Sequence, residues 1–204
     1  MLKLYYSAGA CAMASHIALE EAGVDHELVH VDLKRGEQKT PEYLAINPAG
    51  STPALVTDDG PLTENLAIMA FVAEQAPEKG LLGDASPFAR ARLASFNGWL
   101  GSSLHPALGK LLFSRPPLEG EARDQALEVA LAKLDLAERR LAGTWALGEG
   151  YTIADGYLSV FTRWSRQAGL LDAARFPRLN DHLDRVQARP AIKRVLEAEG
   201  LSPV

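Results

Sequence analysis

The residue of this sequence with the greatest capacity for chemistry is its single cysteine, Cys11. It follows "SAGA", where the β-rich run "LKLYY" ends and apolar residues begin to recur every three or four positions, as in a helix. A cysteine at a helix start lies near unpaired N–H groups and the positive end of the helix dipole, which favour the thiolate. Such placement can lower a thiol pKa from about 8.5 to roughly 3.5–7.5. The position therefore favours a reactive thiol over the alternative, a small and inert buried cysteine.

Two other short stretches could take part in binding. In "NPAGSTPAL", a cis bond before Pro53 would leave the backbone of Thr52 free to pair with an extended peptide, although by itself the stretch favours an ordinary turn proline. In "TEN", Thr63 or Asn65 can cap a helix whose N-terminus could hold an anion, and the Glu64 carboxylate could hold an ammonium group. Taken alone, "TEN" is a capping signal only.

The elements that must position these residues alternate between strand and helix over the first 78 residues. The runs "LKLYY", "HELVHVDL", "PALVT" and "PLT" predict strands, and residues 11–22, 40–46 and 64–76 predict helices. The order is βαβ, then α, then ββα. It implies a parallel strand pair followed by an antiparallel hairpin, and therefore a four-stranded mixed sheet covered by helices.

Beyond a Gly- and Pro-containing linker, the chain has helical periodicity only. We therefore predict an α/β domain at 1–78, a linker at 79–87 and an all-helical domain at 88–204. Within the helical part, Thr152 and Asp155 have capping-box spacing, which we interpret as a folding signal. One predicted helix has an apolar face made of Ala126, Val129, Ala130, Leu134, Ala137 and Leu141.

Composition excludes several classes of function. With 204 residues, 47% of them hydrophobic, and a net charge of −5, the chain can bury a core but offers no basic surface for nucleic acid. It has no secretory leader pattern and no apolar run of the roughly 18 residues that a membrane span needs. One cysteine excludes an internal disulfide and a zinc site built on cysteine pairs. We expect a soluble cytoplasmic protein without nucleic-acid, membrane or metal partners.

Taken together and in this order, the motifs resemble those of the bacterial, cysteine-dependent glutathione transferases, the beta class. The resemblance covers nearly all of the chain, from "KLYYSAGACAMASHIAL" through "INPAGSTPALVTDDGPLTENLAI" and "SSLHPALG" to "YTIADGYLSVFTRW" and "FPRLNDHLDRVQARPAIKRVL". It implies a thioredoxin-like domain followed by a helical domain. It also implies a homodimer, with glutathione as the co-substrate and no metal.

The resemblance also implies the parts of the site. Cys11 matches the class's catalytic cysteine beside the glutathione sulfur, and His105 in "SSLHPA" matches the histidine that approaches that sulfur from the second domain. Trp164 and, less directly, Phe113 would line the apolar pocket for a hydrophobic electrophile. The implied glutathione-binding residues are Gln38, Lys39, Ser51, Thr52, Pro53, Glu64 and Asn65.

Within that set, each group is expected to hold one part of the tripeptide. The backbone of Thr52 would pair with the cysteinyl part, while Glu64 and Asn65 would hold the γ-glutamyl ammonium and carboxylate. Gln38 and Lys39 would hold the glycine carboxylate, with Ser51 nearby. Lys34 competes for that last task because the length of this loop varies in the family.

Three departures from the family pattern affect the predicted contacts. Pro106 follows His105 where many relatives have a lysine that touches glutathione. Gly98 stands where some members have an asparagine, and Asn97 is one position away. Asn65 is a less usual neighbour of Glu64 than Ser or Gly.

Two chemistries and one alternative function stay open on the sequence. Glutathione thiolate could attack an electrophile such as an aryl halide, or Cys11 could form a mixed disulfide with glutathione and support disulfide exchange or peroxide reduction. Tyr5, Tyr6 and Ser7 are rival activators of glutathione. The alternative function is a non-catalytic protein-interaction module built on the same fold.

Overall fold

Strand β1 (Leu2–Tyr6) lies inside a four-stranded sheet in the computed structural model of the protein, which describes all 204 residues. The strands β2 (His26–His30), β3 (Ala54–Thr57) and β4 (Gly60–Thr63) complete the sheet in the order β2-β1-β3-β4. β1 pairs with β2 in parallel, and the β1–β3 and β3–β4 pairs are antiparallel. The predicted mixed sheet is therefore confirmed, and with it the thioredoxin-like arrangement.

Three helices follow the strands of this sheet as the patterns predicted. They are α1 (Met13–Ala22), α2 (Pro41–Ile46) and α3 (Asn65–Glu74). α1 ends at Gly23, whose φ of 68° lies in the left-handed region and whose N–H bonds to the carbonyl of Leu19, as in a glycine C-cap. α2 begins behind Thr40, whose side chain accepts a hydrogen bond from the N–H of Tyr43.

The structure divides the chain into two compact units whose limits differ from the predicted domain ranges. The first unit holds residues 1–82 and 188–203, and the second holds residues 83–187 with Val204. The last helix, here α9 (Pro190–Ala198), therefore packs in the first unit, against α1. Arg189 forms a two-bond ion pair with Glu21 of α1 at 2.5 and 2.7 Å, which joins the chain's last segment to its first helix.

The second unit contains the remaining helices and no strand of the sheet. These are α4 (Pro87–Trp99), α5 (His105–Phe113), α6 (Gly120–Arg140), α7 (Ile153–Gln167) and α8 (Pro177–Ala188). Helical periodicity runs without a break through residues 89–113 and predicts one continuous helix there, but residues 100–104 form a π-helical turn between α4 and α5. Pro106 gives the reason: it has no N–H to donate and its ring crowds the carbonyl four residues earlier, so the regular ladder is broken there.

The apolar face predicted for α6 is right in part. Ala126, Ala130, Leu134 and Ala137 are buried, as is Leu141 just past the helix end. The prediction that Val129 lies on the buried face is wrong, because 51% of its surface is exposed. The buried stripe of α6 is therefore narrower than its apolar sequence.

The predicted capping box at the start of α7 is confirmed. Asp155 accepts a hydrogen bond from the N–H of Thr152 at 2.8 Å, while the Thr152 side chain caps the helix in return. The same carboxylate accepts from the N–H of Ala146 at 2.6 Å and lies 2.8 Å from Nε2 of His182, all in the core. α7 is buried along nearly its whole length. None of the helices combines the length and the apolar character that crossing a bilayer would take.

Candidate active site around Cys11

Cys11 lies in the turn that leads from β1 into α1, two residues before the first helical residue, Met13. Its thiol is partly buried and donates a hydrogen bond to the carbonyl oxygen of Thr52, with Sγ and O 3.6 Å apart. The predicted neighbours Cys11 and Thr52 are therefore brought together by the fold, although 41 positions separate them in the chain.

The segment that carries Thr52 is held from both sides. The peptide bond between Thr52 and Pro53 is cis, which the sequence allowed as the less favoured possibility. Just before it, the carbonyl oxygen of Ser51 accepts hydrogen bonds from the Tyr43 hydroxyl and from the side-chain amide of Asn47, each at 2.7 Å. Ser51 itself is exposed, whereas Thr52 is 8% exposed. These contacts fix the carbonyl that faces the thiol.

The side chain of Asn65 reaches the same sulfur from the start of α3. Its Oδ1 accepts a hydrogen bond from the hydroxyl of Ser15 at 2.7 Å, and its side chain also hydrogen-bonds to Cys11. The register of the hairpin explains why: Ala54 pairs with Thr63, so the residues just before β3 and just after β4 are neighbours. Ser15 was not among the predicted site residues, because its contact with Asn65 joins positions 50 residues apart in the chain.

Burial dominates the protonation of the thiol. It raises the pKa of Cys11 from an ordinary value of 9.0 to about 11, while the Asn65 side chain and the N–H groups of Cys11 and Ala12 lower it. The negative charge of Glu64 adds a small further rise. The expectation of a lowered pKa is therefore wrong for the ligand-free protein. The N–H groups are present as predicted, but the loss of water around the sulfur outweighs them.

Glu64 has an unusual backbone at the start of α3. Its φ of 70° lies in the left-handed region, which a residue with a side chain seldom adopts and which often marks a functional position. No side chain caps the helix that follows, so its first N–H groups stay available. The Glu64 carboxylate is exposed. The helix N-terminus and the carboxylate together offer one site for an anion beside one for a cation.

The residues predicted to hold a glycine carboxylate lie in a second loop of the same unit. Gln38 and Lys39 belong to a 3₁₀ turn, and the ammonium of Lys39 donates to the carbonyl of Ala49 at 3.4 Å, two residues before Ser51 in the chain. Glycine is favoured at position 50, because its φ of 59° lies in the left-handed region and a Cβ there would lie 3.0 Å from the backbone carbonyl oxygen of Gln38. Lys34 is exposed on the loop that precedes this turn.

The rival hydroxyls of β1 have other neighbours. Successive residues of a strand face opposite sides, and Tyr5 packs its ring against Tyr43 while Tyr6 packs against His16 and His30. Burial and the nearby charge of Glu199 raise the pKa of Tyr6, which disfavours its phenolate. Of the side-chain groups predicted as activators, the thiol of Cys11 is the one that contacts Thr52.

The predicted residues of the second unit lie together in an aromatic cluster. His105 is the first residue of α5, half-buried, and its ring centroid lies 5.3 Å from that of Phe161 and 5.5 Å from that of Trp164. Phe113 meets Trp164 edge to face at 5.0 Å and is exposed. Burial lowers the pKa of His105, so the imidazole is neutral at neutral pH.

Two family models match the chain. The glutathione S-transferase N-terminal domain matches residues 1–74, and the glutathione S-transferase C-terminal domain matches residues 120–185. The first covers Cys11, Thr52 and Asn65, and the second covers Trp164.

Individual relatives match over almost the full length. The chain is 35% identical to the glutathione S-transferase GstA of Escherichia coli O157:H7, over 98% of this chain and 100% of that one. A sphingomonad glutathione S-transferase solved in complex with glutathione is 38% identical with a TM-score of 0.87, covering 98% of this chain and 100% of that chain. A bacterial beta-class glutathione S-transferase from Sphingomonas chungbukensis is 35% identical with the same TM-score of 0.87 and the same coverage of 98% and 100%.

Proposed function

This chain belongs to the glutathione S-transferases, and we propose that it conjugates glutathione to hydrophobic electrophiles and uses Cys11 in glutathione-dependent disulfide exchange or peroxide reduction. It is an enzyme of the family's fold, a thioredoxin-like sheet domain with a helical domain. The match to transferases over 98% of the chain favours the enzyme over a non-catalytic interaction module.

One observation carries the proposal. The thiol of Cys11 donates a hydrogen bond to the Thr52 carbonyl, which precedes the cis Pro53, and it is also hydrogen-bonded to the side chain of Asn65. The sulfur therefore contacts both "STP" and "TEN", the two stretches that resemble the family's glutathione-binding motifs. Glutathione is bound in the sphingomonad relative, which is 38% identical to this chain. A tripeptide that pairs with the backbone of Thr52 would present its own thiol to Cys11.

The tripeptide's charged ends match groups in the first unit. The exposed Glu64 carboxylate would take the γ-glutamyl ammonium, and the uncapped start of α3 would take the adjacent carboxylate. Because the side chain of Asn65 already binds Ser15 and Cys11, we assign this carboxylate to the Asn65 N–H rather than to its amide.

Lys39 would hold the glycine carboxylate, since it lies beside residues 49–51, with Gln38 and Ser51 as neighbours. Lys34 is the competing cation and lies in the preceding loop. A comparison of Lys39→Met and Lys34→Met separates them, because only the variant that removes the contact should raise the KM for glutathione.

The raised pKa of Cys11 decides which sulfur becomes negative first. An ordinary thiol such as that of glutathione has a pKa of about 8.5, whereas that of Cys11 is about 11. Glutathione therefore loses its proton first. The Cys11 thiol then donates a hydrogen bond to the glutathione thiolate and holds it for attack on the electrophile.

Disulfide exchange requires Cys11 itself to become a thiolate. That thiolate attacks a glutathione mixed disulfide, so that a Cys11–glutathione disulfide forms and the other thiol leaves. A second glutathione thiolate then attacks the protein disulfide, releasing oxidised glutathione and the Cys11 thiolate. An ammonium group bound to Glu64 would favour the first step, because it offsets the charge that raises the pKa of Cys11.

Three further elements of the proposal rest on the family resemblance and their local surroundings. For His105 we propose a catalytic part as a neutral imidazole, and for Trp164 and Phe113 a part of the apolar surface that receives the electrophile. We also propose a homodimer, which light scattering on the purified protein would detect as twice the chain mass of 22.0 kDa.

Paired assays of Cys11→Ala and the parent test the function. We expect the variant to lose most of its exchange activity toward a glutathione mixed disulfide and to keep part of its activity toward an aryl halide. Tyr5→Phe and Tyr6→Phe are matched controls that should retain both activities. Equal rates for parent and Cys11→Ala in both assays would refute the role of Cys11. Calorimetry with millimolar glutathione tests binding separately, and no heat of binding would refute the whole proposal.

A further inference from the structure

Three side chains of types that can bind a metal ion lie close together on α1 and β2. His16 and Glu20 are four residues apart on this helix and so share one face, and His26 is the first residue of β2. One ligand atom from each of the three residues lies within 4.8 Å of the others. Two imidazoles and a carboxylate are a donor set that zinc prefers.

His16 has a nitrogen with no partner although it is fully buried. Its Nδ1 lies 2.9 Å from Oε1 of Glu199, and the side chains of both residues are 0% exposed. A carboxylate only accepts, so in the neutral form of the ring Nδ1 carries the proton and Nε2 carries the lone pair. That Nε2 has no hydrogen-bond partner. A buried imidazole nitrogen without a partner is costly unless it has a ligand to bind.

His26 is set in the same way. Its Nδ1 lies 2.8 Å from the carbonyl oxygen of Val24, which can only accept a hydrogen bond, so Nδ1 carries a proton. In the neutral ring, Nε2 is then the nitrogen that can bind a metal ion. A histidine metal ligand usually donates its other N–H to a carboxylate or a backbone carbonyl, and here Glu199 and Val24 supply one of each. The outer contacts of a metal site are therefore present for both imidazoles.

Glu20 has one oxygen engaged and one directed at the histidine. Arg194 of α9 donates to Oε2 at 2.6 Å, whereas Oε1 lies 3.9 Å from Nε2 of His26. The side chains of Glu20 and His26 are 21% and 9% exposed, so the cluster reaches solvent on their side. The positive charge of Arg194 partly neutralises the Glu20 carboxylate and repels a bound cation, so the second oxygen, Oε1, is the one left for a metal ion.

We propose that His16, Glu20 and His26 form a zinc site with water as the fourth ligand. Three ligands bound to one zinc lie about 3.4 Å apart, so the side chains must close by up to about 1.4 Å from the 4.8 Å limit seen here. Rotation of the partly exposed Glu20 side chain and of His26, which lies on the edge strand β2, would supply that movement. The ion would join α1 to β2 and, through Glu199 and Arg194, to the last segment of the chain. The site is separate from the glutathione contacts and does not depend on them.

The test is a zinc titration of metal-stripped protein by calorimetry. All proteins carry Cys11→Ser, because a free thiol would compete for zinc. We expect one zinc per chain, and binding at least about 100-fold weaker in His26→Gln and Glu20→Gln, since even loss of an outer contact costs 10–100-fold. His30→Gln is the matched control: it removes an exposed histidine of the same strand and should bind zinc like the parent.

Cobalt(II) gives a second readout that does not depend on affinity. The parent should give the visible bands of a four-coordinate cobalt site, and His26→Gln should lose them while keeping its circular dichroism and glutathione binding. Zinc binding that is equal in the parent, His26→Gln and Glu20→Gln would overturn the proposal. So would the absence of any binding in the parent, or an equal loss in His30→Gln.

Discussion

The protonation of Cys11 gives the sharpest test of the physical argument. Raising the pH of the ligand-free protein should leave the thiol protonated until far above neutrality, because burial raises its pKa from 9.0 to about 11. At pH 7 the thiolate fraction is then about one in 10,000, which is about 100-fold less than for the same thiol in water. A reagent that reacts only with thiolate should therefore react slowly near neutral pH.

The assay measures the rate of alkylation of Cys11 by iodoacetamide as a function of pH, followed by mass spectrometry. Because the chain has one cysteine, one added group reports one site. The midpoint of the profile gives the pKa, whereas limited access of the reagent changes only the plateau. Circular dichroism at each pH verifies that the protein is folded, and urea-unfolded protein supplies the ordinary thiol as the control.

Two variants should move the midpoint in opposite directions. Asn65→Ala removes a hydrogen bond that lowers the pKa of Cys11, so its midpoint should rise. Glu64→Gln removes a negative charge that raises this pKa, so its midpoint should fall, and by less. A parent midpoint at or below the ordinary value for a free thiol, or a shift of both variants in the same direction, would refute the assignment of causes.

Two predictions concern the stability of the helical unit. Leu134→Ala should lower the free energy of unfolding by about 2–5 kcal/mol, because it leaves a cavity at a buried position of α6. Val129→Ala on the same helix should change that free energy by less than about 0.5 kcal/mol, because Val129 is exposed. Urea denaturation of the two variants measures both changes, and equal losses would contradict the narrow buried stripe of α6. Asp155→Ala should cost about 3–5 kcal/mol, since His182, Thr152 and the N–H of Ala146 lose a buried partner. A shift in its urea midpoint as small as that of Val129→Ala would show that the carboxylate is not what holds these groups.

Local patterns in the sequence were enough for most of the fold. Alternation predicted all four strands, helical spacing predicted the helices between them, and the capping signal at Thr152 placed the start of α7. They did so because each pattern reports a preference of a short segment that the tertiary structure also satisfies. Pro106 was equally visible, and the π-helical turn before it shows that a break should have been predicted there.

Properties that depend on contacts between distant segments of the chain could not be predicted from local sequence patterns. A helix-start cysteine indicates nearby N–H groups, but it does not indicate the burial that raises the pKa of Cys11, because that burial depends on elements distant in the chain. Likewise, the periodicity of α9 indicates a buried face without saying that α1 covers it. Motif matching found Thr52 and Asn65 because a family resemblance carries that long-range information. It did not point to Ser15, because the matched motifs assign no role to that residue and its contact with Asn65 is seen only in the folded chain.

The joining of the two chain ends has a consequence for biosynthesis. Glu199 accepts from the N–H of Gly9 at 2.8 Å and lies against Nδ1 of His16, so the turn that leads to Cys11 depends on a partner 190 positions later in the chain. On the ribosome, the first 82 residues emerge without that partner, and α1 must wait for α9 before its buried imidazole is paired. A nascent chain halted after α8 would therefore leave α1 without this partner, and the sheet domain can be completed only after residue 199 has been made.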